Sequence, residues 1–202
     1  MKKQTISTIV IVSCICILQS CAFRPCTSLS VNVGVQNSSF CGDSDSWTNA
    51  FGALGGVAVQ IPYTCNLPFT YWVEGNVSMQ GARYEDDWGY GTVEGLTRLL
   101  YANFPLTARY QLDNGFFGEA GLQPGILLGA KDKVDGESWD YKEWVNTFDV
   151  GIPLGVGYNI NKNLGVSLRV IPGITNVNAG EGVSRDRNFV VGVRGTYTLR
   201  KE

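Results

Sequence analysis

The sequence predicts an all-β protein: an eight-stranded antiparallel up-and-down transmembrane β-barrel with short periplasmic turns and longer extracellular loops. Three observations predict it. From Ser28 onward apolar residues recur at every second position, the period of a strand with two unlike faces. The connections between these runs alternate between short and long. The polar face is made of Gly, Ser, Thr, Asn and Gln rather than of Lys and Glu. Only 17% of the 202 residues are charged, where a soluble surface usually carries about 25–35%.

The first segment stands apart from this pattern. Lys2 and Lys3 precede an apolar run from Ile6 to Leu18, too short for a membrane-spanning helix and suited to a secretory signal. We therefore expect a signal peptide over 1–22 and the barrel over 23–202. Two exits are open. Ser20-Cys21-Ala22 fits the small-x-small rule, whereas Leu18-Gln19-Ser20-Cys21 resembles a lipoprotein box in which Cys21 becomes a lipidated N-terminus.

The strands follow in order at about 28–38, 51–61, 69–83, 99–112, 116–131, 147–160, 164–175 and 189–199. The sixth is the cleanest: Phe148, Val150, Ile152, Leu154, Val156, Tyr158 and Ile160 alternate with small or polar residues. Short connections fall at Pro62–Pro68, Asp113-Asn114-Gly115 and Asn161-Lys162-Asn163; the last two are tight-turn sequences, because Asn, Asp and Gly tolerate positive φ. Long polar connections fall near 39–50, 84–98, 132–145 and 178–187. With an even strand number both termini lie at the short-turn, periplasmic end. A strand of about 11 residues tilted near 40° stands about 27 Å tall, close to the roughly 25 Å apolar band of outer-membrane barrels.

Composition decides which face is outside. The charges on the polar face are Glu74, Arg109, Glu119, Lys131, Asp149, Arg169, Arg194 and Arg200. They are too sparse for a water-facing wall but natural for the lumen of an eight-stranded barrel, which side chains just fill. Buried charge must be paired. Setting aside Lys131 and Arg200 near the ends, we expect one lumenal ion-pair network of Glu74, Arg109, Glu119, Asp149, Arg169 and Arg194, neutral in sum, that fills the lumen rather than conducting ions. Arg169→Met should then cost stability by stranding an acid. Aromatic residues gather at both ends, as interfacial girdles require. Trp47, Trp88, Trp139 and Trp144 would form an extracellular rim; Tyr63, Phe69, Tyr110, Phe116, Tyr158 and Tyr197 lie near the short turns.

Several function classes are excluded or disfavoured. The chain has no histidine, so Ser-His-Asp and Cys-His catalysis and His-ligated metals are ruled out. No metal site, cofactor or enzymatic activity is expected. A net charge of −2 argues against nucleic acid as a partner.

Four segments add a family resemblance. Leu164–Val177, with Arg169, Gly173, Ile174, Thr175 and Asn176, is similar to the seventh-strand pattern of the Bacteroidetes-type outer-membrane β-barrel domain family, PorT-like or porin-family proteins related in shape to OmpX/OmpA-like small barrels. Glu74 with Gly81-Ala82-Arg83, Leu100-Tyr101 through Phe104-Pro105-Leu106, and Gly118-Glu119-Ala120-Gly121 resemble its third, fourth and fifth strands. The chain departs from the family at Val170, at Pro172 and in its ending Arg200-Lys201-Glu202. The resemblance implies an integral protein of the Gram-negative outer membrane, surrounded by lipid and lipopolysaccharide and inserted by the outer-membrane assembly machinery. It implies little chemistry. A structural or surface-interaction role leads, with an accessory part in protein secretion or a narrow pore as alternatives.

Two side features remain. Under either exit Cys26, Cys41 and Cys65 persist; topology puts Cys26 and Cys65 at one end and Cys41 at the other, so a disulfide, if one forms, joins Cys26 to Cys65, and three free thiols is the other reading. The first three long connections are acidic: Asp43, Asp45, Glu85, Asp86, Asp87, Glu94, Asp132, Asp135, Glu137, Asp140 and Glu143 stand against Arg98, Lys133 and Lys142. They form either a cation- or partner-binding rim or a plain solvated surface.

Overall fold

The computed structural model describes residues 28–43, 47–61, 69–87, 92–134, 137–180 and 184–200. The expected leader, Cys21, Cys26, Cys65 and Trp88 lie outside them. Eleven strand segments make up the described chain: β1 Ser28–Gly42, β2 Trp47–Ile61, β3 Phe69–Asp87, β4 Thr92–Asn103, β5 Leu106–Gln111, β6 Phe116–Val134, β7 Glu137–Asp140, β8 Phe148–Gly151, β9 Leu154–Asn159, β10 Leu164–Pro172 and β11 Asp186–Arg200. A single 3₁₀ turn, Lys142–Trp144, follows β7.

These segments form eight staves. β4 and β5 are one stave interrupted at Phe104-Pro105, since both pair with β3 and β6. β8 and β9 are another, interrupted at Ile152-Pro153, since both pair with β6. Proline has no N–H to give the ladder. The neighbouring groups bridge each gap: the Glu74 amide donates to the Pro105 carbonyl (2.9 Å) and the Gly121 amide to the Pro153 carbonyl (3.1 Å). All pairings are antiparallel between sequence neighbours, and β1 pairs with β11 from Leu29↔Arg200 to Gly42↔Asp186, so the ring closes.

The turns follow their sequence chemistry. Gly115 takes φ +90° and donates its amide to the Leu112 carbonyl (3.1 Å). The Asn161 side-chain oxygen accepts from the amides of Asn163 and Leu164, both 2.8 Å. At the other end the strands run further than alternation suggests. β1 reaches Gly42, β2 begins at Trp47, β3 reaches Asp87 and β4 begins at Thr92. Much of 39–50 and 84–98 is therefore paired strand rather than open connection. Beyond the lipid band a ladder still satisfies backbone N–H and C=O groups, while the side chains need not alternate.

The apolar row faces outward. Leu154 is 49% and Val166 38% exposed, whereas Arg169 is 5%. At the short-turn end Phe69 packs at a tilt against Tyr110 (5.2 Å) and Phe116 against Tyr158 (4.9 Å), all on the outer wall.

One expected lumenal charge is placed elsewhere. β4 and β6 slip register between Leu100↔Gly129 and Tyr101↔Leu127, which leaves Leu128 as an extra residue. This bulge reverses the alternation of β6. Lys131 and Lys133 consequently point outward, and Asp132 turns in to accept from Tyr84 (2.7 Å) and Thr97 (2.9 Å).

Gly81 marks a second irregularity. Its φ is +142°, and a Cβ there would collide with the Thr97 carbonyl oxygen. Gly118 has nothing within 4 Å of such a Cβ. Gly81→Ala is expected to destabilise the barrel by about 1–3 kcal/mol and Gly118→Ala to change little. Urea unfolding midpoints of the two variants in vesicles check the contrast; equal midpoints would remove the strain assigned to Gly81.

Candidate functional site

One level of the lumen holds five charged side chains from five different strands. Glu74 comes from β3, Arg109 from β5, Glu119 from β6, Arg169 from β10 and Arg194 from β11. Each is at most 5% exposed. Glycines clear the space they need. Arg169 lies across from Gly155 and Gly192, and Arg194 across from Gly34. A Cβ on Gly155 would sit 2.9 Å from the Glu119 side chain.

Arg169 is the hub. Its Nε and Nη2 donate to Glu119 Oε1 (2.9 and 2.8 Å), and Nη2 and Nη1 donate to Glu74 Oε1 and Oε2 (3.0 and 3.3 Å). Arg194 donates through Nη1 to Glu74 Oε2 and through Nη2 to Glu119 Oε1 (3.3 Å). Arg109 grips Glu119 Oε2 with Nη2 (2.9 Å) and Nε (3.3 Å). Asn76 adds a bond to Glu74 Oε2 (2.9 Å). The cluster thus sets two carboxylates against three guanidiniums. The surplus cation has a second kind of partner: the Arg109 guanidinium carbon lies 4.4 Å from the Trp72 ring and 3.9 Å from the Phe117 ring, faces that attract a desolvated cation.

Asp149 is not a member of this cluster. It accepts from Thr175 Oγ1 and from Asn188 Nδ2 (3.1 Å). β8 sits on the far side of the Pro153 interruption from Gly155, so Asp149 meets Thr175 of the β10–β11 connection and Asn188 of β11 rather than the arginines. The described cluster is therefore not neutral in sum. Trp47 is also placed differently from the expected rim. It packs edge-on against Phe40 (4.9 Å) and Tyr84 (5.5 Å), and its Nε1 donates to Asp186 (3.4 Å). The Trp47↔Tyr84 pairing of β2 and β3 draws it inward. Trp139 and Trp144 are 59% and 63% exposed.

Sequence reasoning missed an apolar plug. Toward the long-hairpin end Phe40, Ala82, Leu99, Tyr101, Leu127, Ala130, Val145 and Val177 pack together inside the barrel, with Trp47 and Tyr141 against them. The excursion after β7 folds over this end and is held by the Val145↔Asn178 bridge. Burial, with the Asp132 and Asp186 carboxylates nearby, pushes the Tyr141 hydroxyl up from its ordinary pKa. The signal for the plug was present. Leu99-Leu100 and Ile126-Leu127-Leu128 break the alternation by putting apolar residues on both faces.

Between ion cluster and plug lies a cavity of about 30 Å³, room for about one water. At the short-turn mouth a second cavity of about 280 Å³ is lined by Arg109, Trp72, Phe117 and Lys162. Among the described residues no three His, Cys, Asp or Glu side chains come together as a metal site. Cys41 is exposed on β1.

The described strands thus form a closed ring of eight staves with a polar lumen and an apolar wall. The model of the outer membrane protein beta-barrel domain matches residues 27–179. The chain belongs to that family. Among solved structures it is similar to Neisserial surface protein A, at 11% identity and TM-score 0.58, over 86% of this chain and 99% of that one. It is also similar to Ail of Yersinia pestis (12% identity, TM-score 0.45, 85% and 98% covered). A third is OprG of Pseudomonas aeruginosa (10%, 0.43, 86% and 96%). At 11% identity the likeness to Neisserial surface protein A is one of fold. No curated protein matches.

Proposed function

We propose that this outer-membrane barrel is non-enzymatic and non-conducting, and that its role is structural or one of surface interaction through its long hairpins. The observation that carries this reading is the occupied lumen: three arginines and two glutamates fill one level, and the Phe40–Leu99–Tyr101–Leu127 plug fills the next. An eight-stranded lumen so filled leaves no continuous water path. Within the charged level the two carboxylates are engaged by the three guanidiniums, so neither is free to act as a base. In this reading a leader over 1–22 directs export, both termini face the periplasm, and the hairpins carrying Trp139 and Trp144 face outward. Lipid, lipopolysaccharide and the assembly machinery are its membrane partners. The PorT-like placement rests on the resemblance of Arg169, Gly173, Ile174, Thr175 and Asn176 to that family's seventh-strand pattern.

Planar-bilayer recording of the purified mature chain is the test. No stable open level is expected at any applied voltage, alongside heat-modifiable gel mobility that reports the closed barrel. A stable open level would overturn the non-conducting reading. Loss of particular exported proteins on deletion would replace the surface role with one in secretion.

A further inference from the structure

The bulge at Leu128 has a consequence on the outer wall. It turns Lys131 and Lys133 of β6 outward, next to Arg98 of β4, and Arg98 and Lys131 are direct cross-strand partners. Like charges placed opposite each other repel. Among the described residues no carboxylate forms an ion pair with Arg98, Lys131 or Lys133. Asp140 stands across from Lys131 in β7, and exposed Glu94 lies further out on β4, but neither closes on the cations. Arg98 instead leans on the Met79 sulfur (3.1 Å), and Lys142 donates to the Leu128 carbonyl that the bulge frees (3.3 Å). The first three long connections are acidic as a whole, yet all three of their bases, Arg98, Lys133 and Lys142, gather on this one wall.

The three cations share the walls of an apolar groove of about 280 Å³ with Met79, Leu96, Leu100 and Gly129. Gly129 is the outward partner of Leu100, and a Cβ there would meet nothing within 4 Å. The missing side chain makes the groove. It opens where the outward row passes from Leu100 and Leu128 to Arg98 and Lys131, the boundary between apolar band and polar surface.

We propose that this wall binds a phosphorylated lipid of the outer leaflet, with an acyl chain in the groove over Gly129 and its phosphate between Arg98, Lys131 and Lys133. The occupant follows from the two halves of the site. An apolar trough at lipid depth takes a chain, and cations that no carboxylate pairs with, Asp140 across from Lys131 included, take an anion. The inference rests on the outer wall lying in lipid; a mature chain that stays folded and soluble without detergent would remove that premise before any lipid is added. A conducting channel would sink the non-conducting reading and leave this one standing.

The test titrates the purified full barrel in detergent with diphosphoryl lipid A, with the same lipid dephosphorylated, and with inorganic phosphate, reading retained lipid by native mass spectrometry. Wild type should prefer the phosphorylated lipid by about tenfold or more, and inorganic phosphate at equal concentration should not displace it. The R98Q/K131Q/K133Q variant should lose the preference. Gly129→Phe should weaken both lipids alike by filling the groove. Lys162→Gln, at the opposite end, should change nothing. Should the triple variant lack the heat-modifiable band, Lys133→Gln alone provides the same reading at reduced amplitude. Equal retention of the two lipids by wild type, a preference that survives the substitutions, or displacement by free phosphate would each overturn the proposal.

Discussion

Glu119→Gln is expected to destabilise the barrel by about 3–5 kcal/mol, more than Arg169→Met. The order follows from what each change leaves behind. Glu119 takes bonds from Arg109, Arg169 and Arg194. Neutralising it leaves three buried guanidiniums facing one carboxylate. Arg109 then loses its carboxylate partner and keeps its aromatic neighbours Trp72 and Phe117, and the cluster gains a further positive charge where solvent cannot screen it. Removing Arg169 deletes four hydrogen bonds, yet Glu74 keeps Arg194 and Asn76, and Glu119 keeps Arg109. No acid is fully stranded, and the remaining two arginines and two glutamates balance. Unfolding free energies in urea, measured on refolded barrels in vesicles, give the ranking. A larger loss for Arg169→Met would show that bond count outweighs net charge in this lumen. Losses below about 1 kcal/mol for both would place these pairs with exposed ones.

The eight staves and their facing were legible because a barrel imposes a period of two on almost every residue. The test is local and repeats eight times, so single departures such as Pro105 and Pro153 do not obscure it. The same parity put Glu74, Arg109, Glu119, Arg169 and Arg194 on one face. Partner choice was less legible. Asp149 has lumenal parity, but its height along the axis depends on stagger between staves, which no single strand encodes; Thr175 and Asn188 reach it instead of the arginines. Trp47 shows a different limit. Aromatic residues near strand ends serve interfaces and plugs alike, and only the pairing with Tyr84 and the contact with Phe40 separate the two. The lumenal plug was hidden for the opposite reason: apolar residues on both faces at Leu99-Leu100 read as noise in an alternation, although they mark the height at which the lumen itself turns apolar.

Deleting Leu128 is expected to abolish the folded form or lower its stability by more than any substitution on the outer wall. A strand shifted by one residue presents every following side chain to the other face. With Leu128 gone and the β4–β6 ladder kept, Lys131 and Lys133 would enter the lumen beside Leu99, Leu127 and Ala130, which form its apolar plug. Asp132 would swing outward and abandon Tyr84 and Thr97. Two buried lysines without partners and the loss of two charge-assisted bonds together exceed about 4 kcal/mol. Leu128→Ala keeps the extra residue. Its side chain is 47% exposed on the outer wall, so the loss should stay below about 1 kcal/mol. The pair separates a bulge that steers charge from a leucine that merely touches lipid. Heat-modifiable mobility and urea midpoints measure stability, and a Lys133→Cys probe in each background, with the exposed Cys41 replaced by Ser, reports the facing by its reaction with a bulky maleimide added from outside. A deletion variant that folds as well as the alanine variant, with the introduced thiol still labelled, would mean that β4 and β6 had slipped together to restore the phase, and the bulge would then be a consequence of the outward lysines rather than their cause.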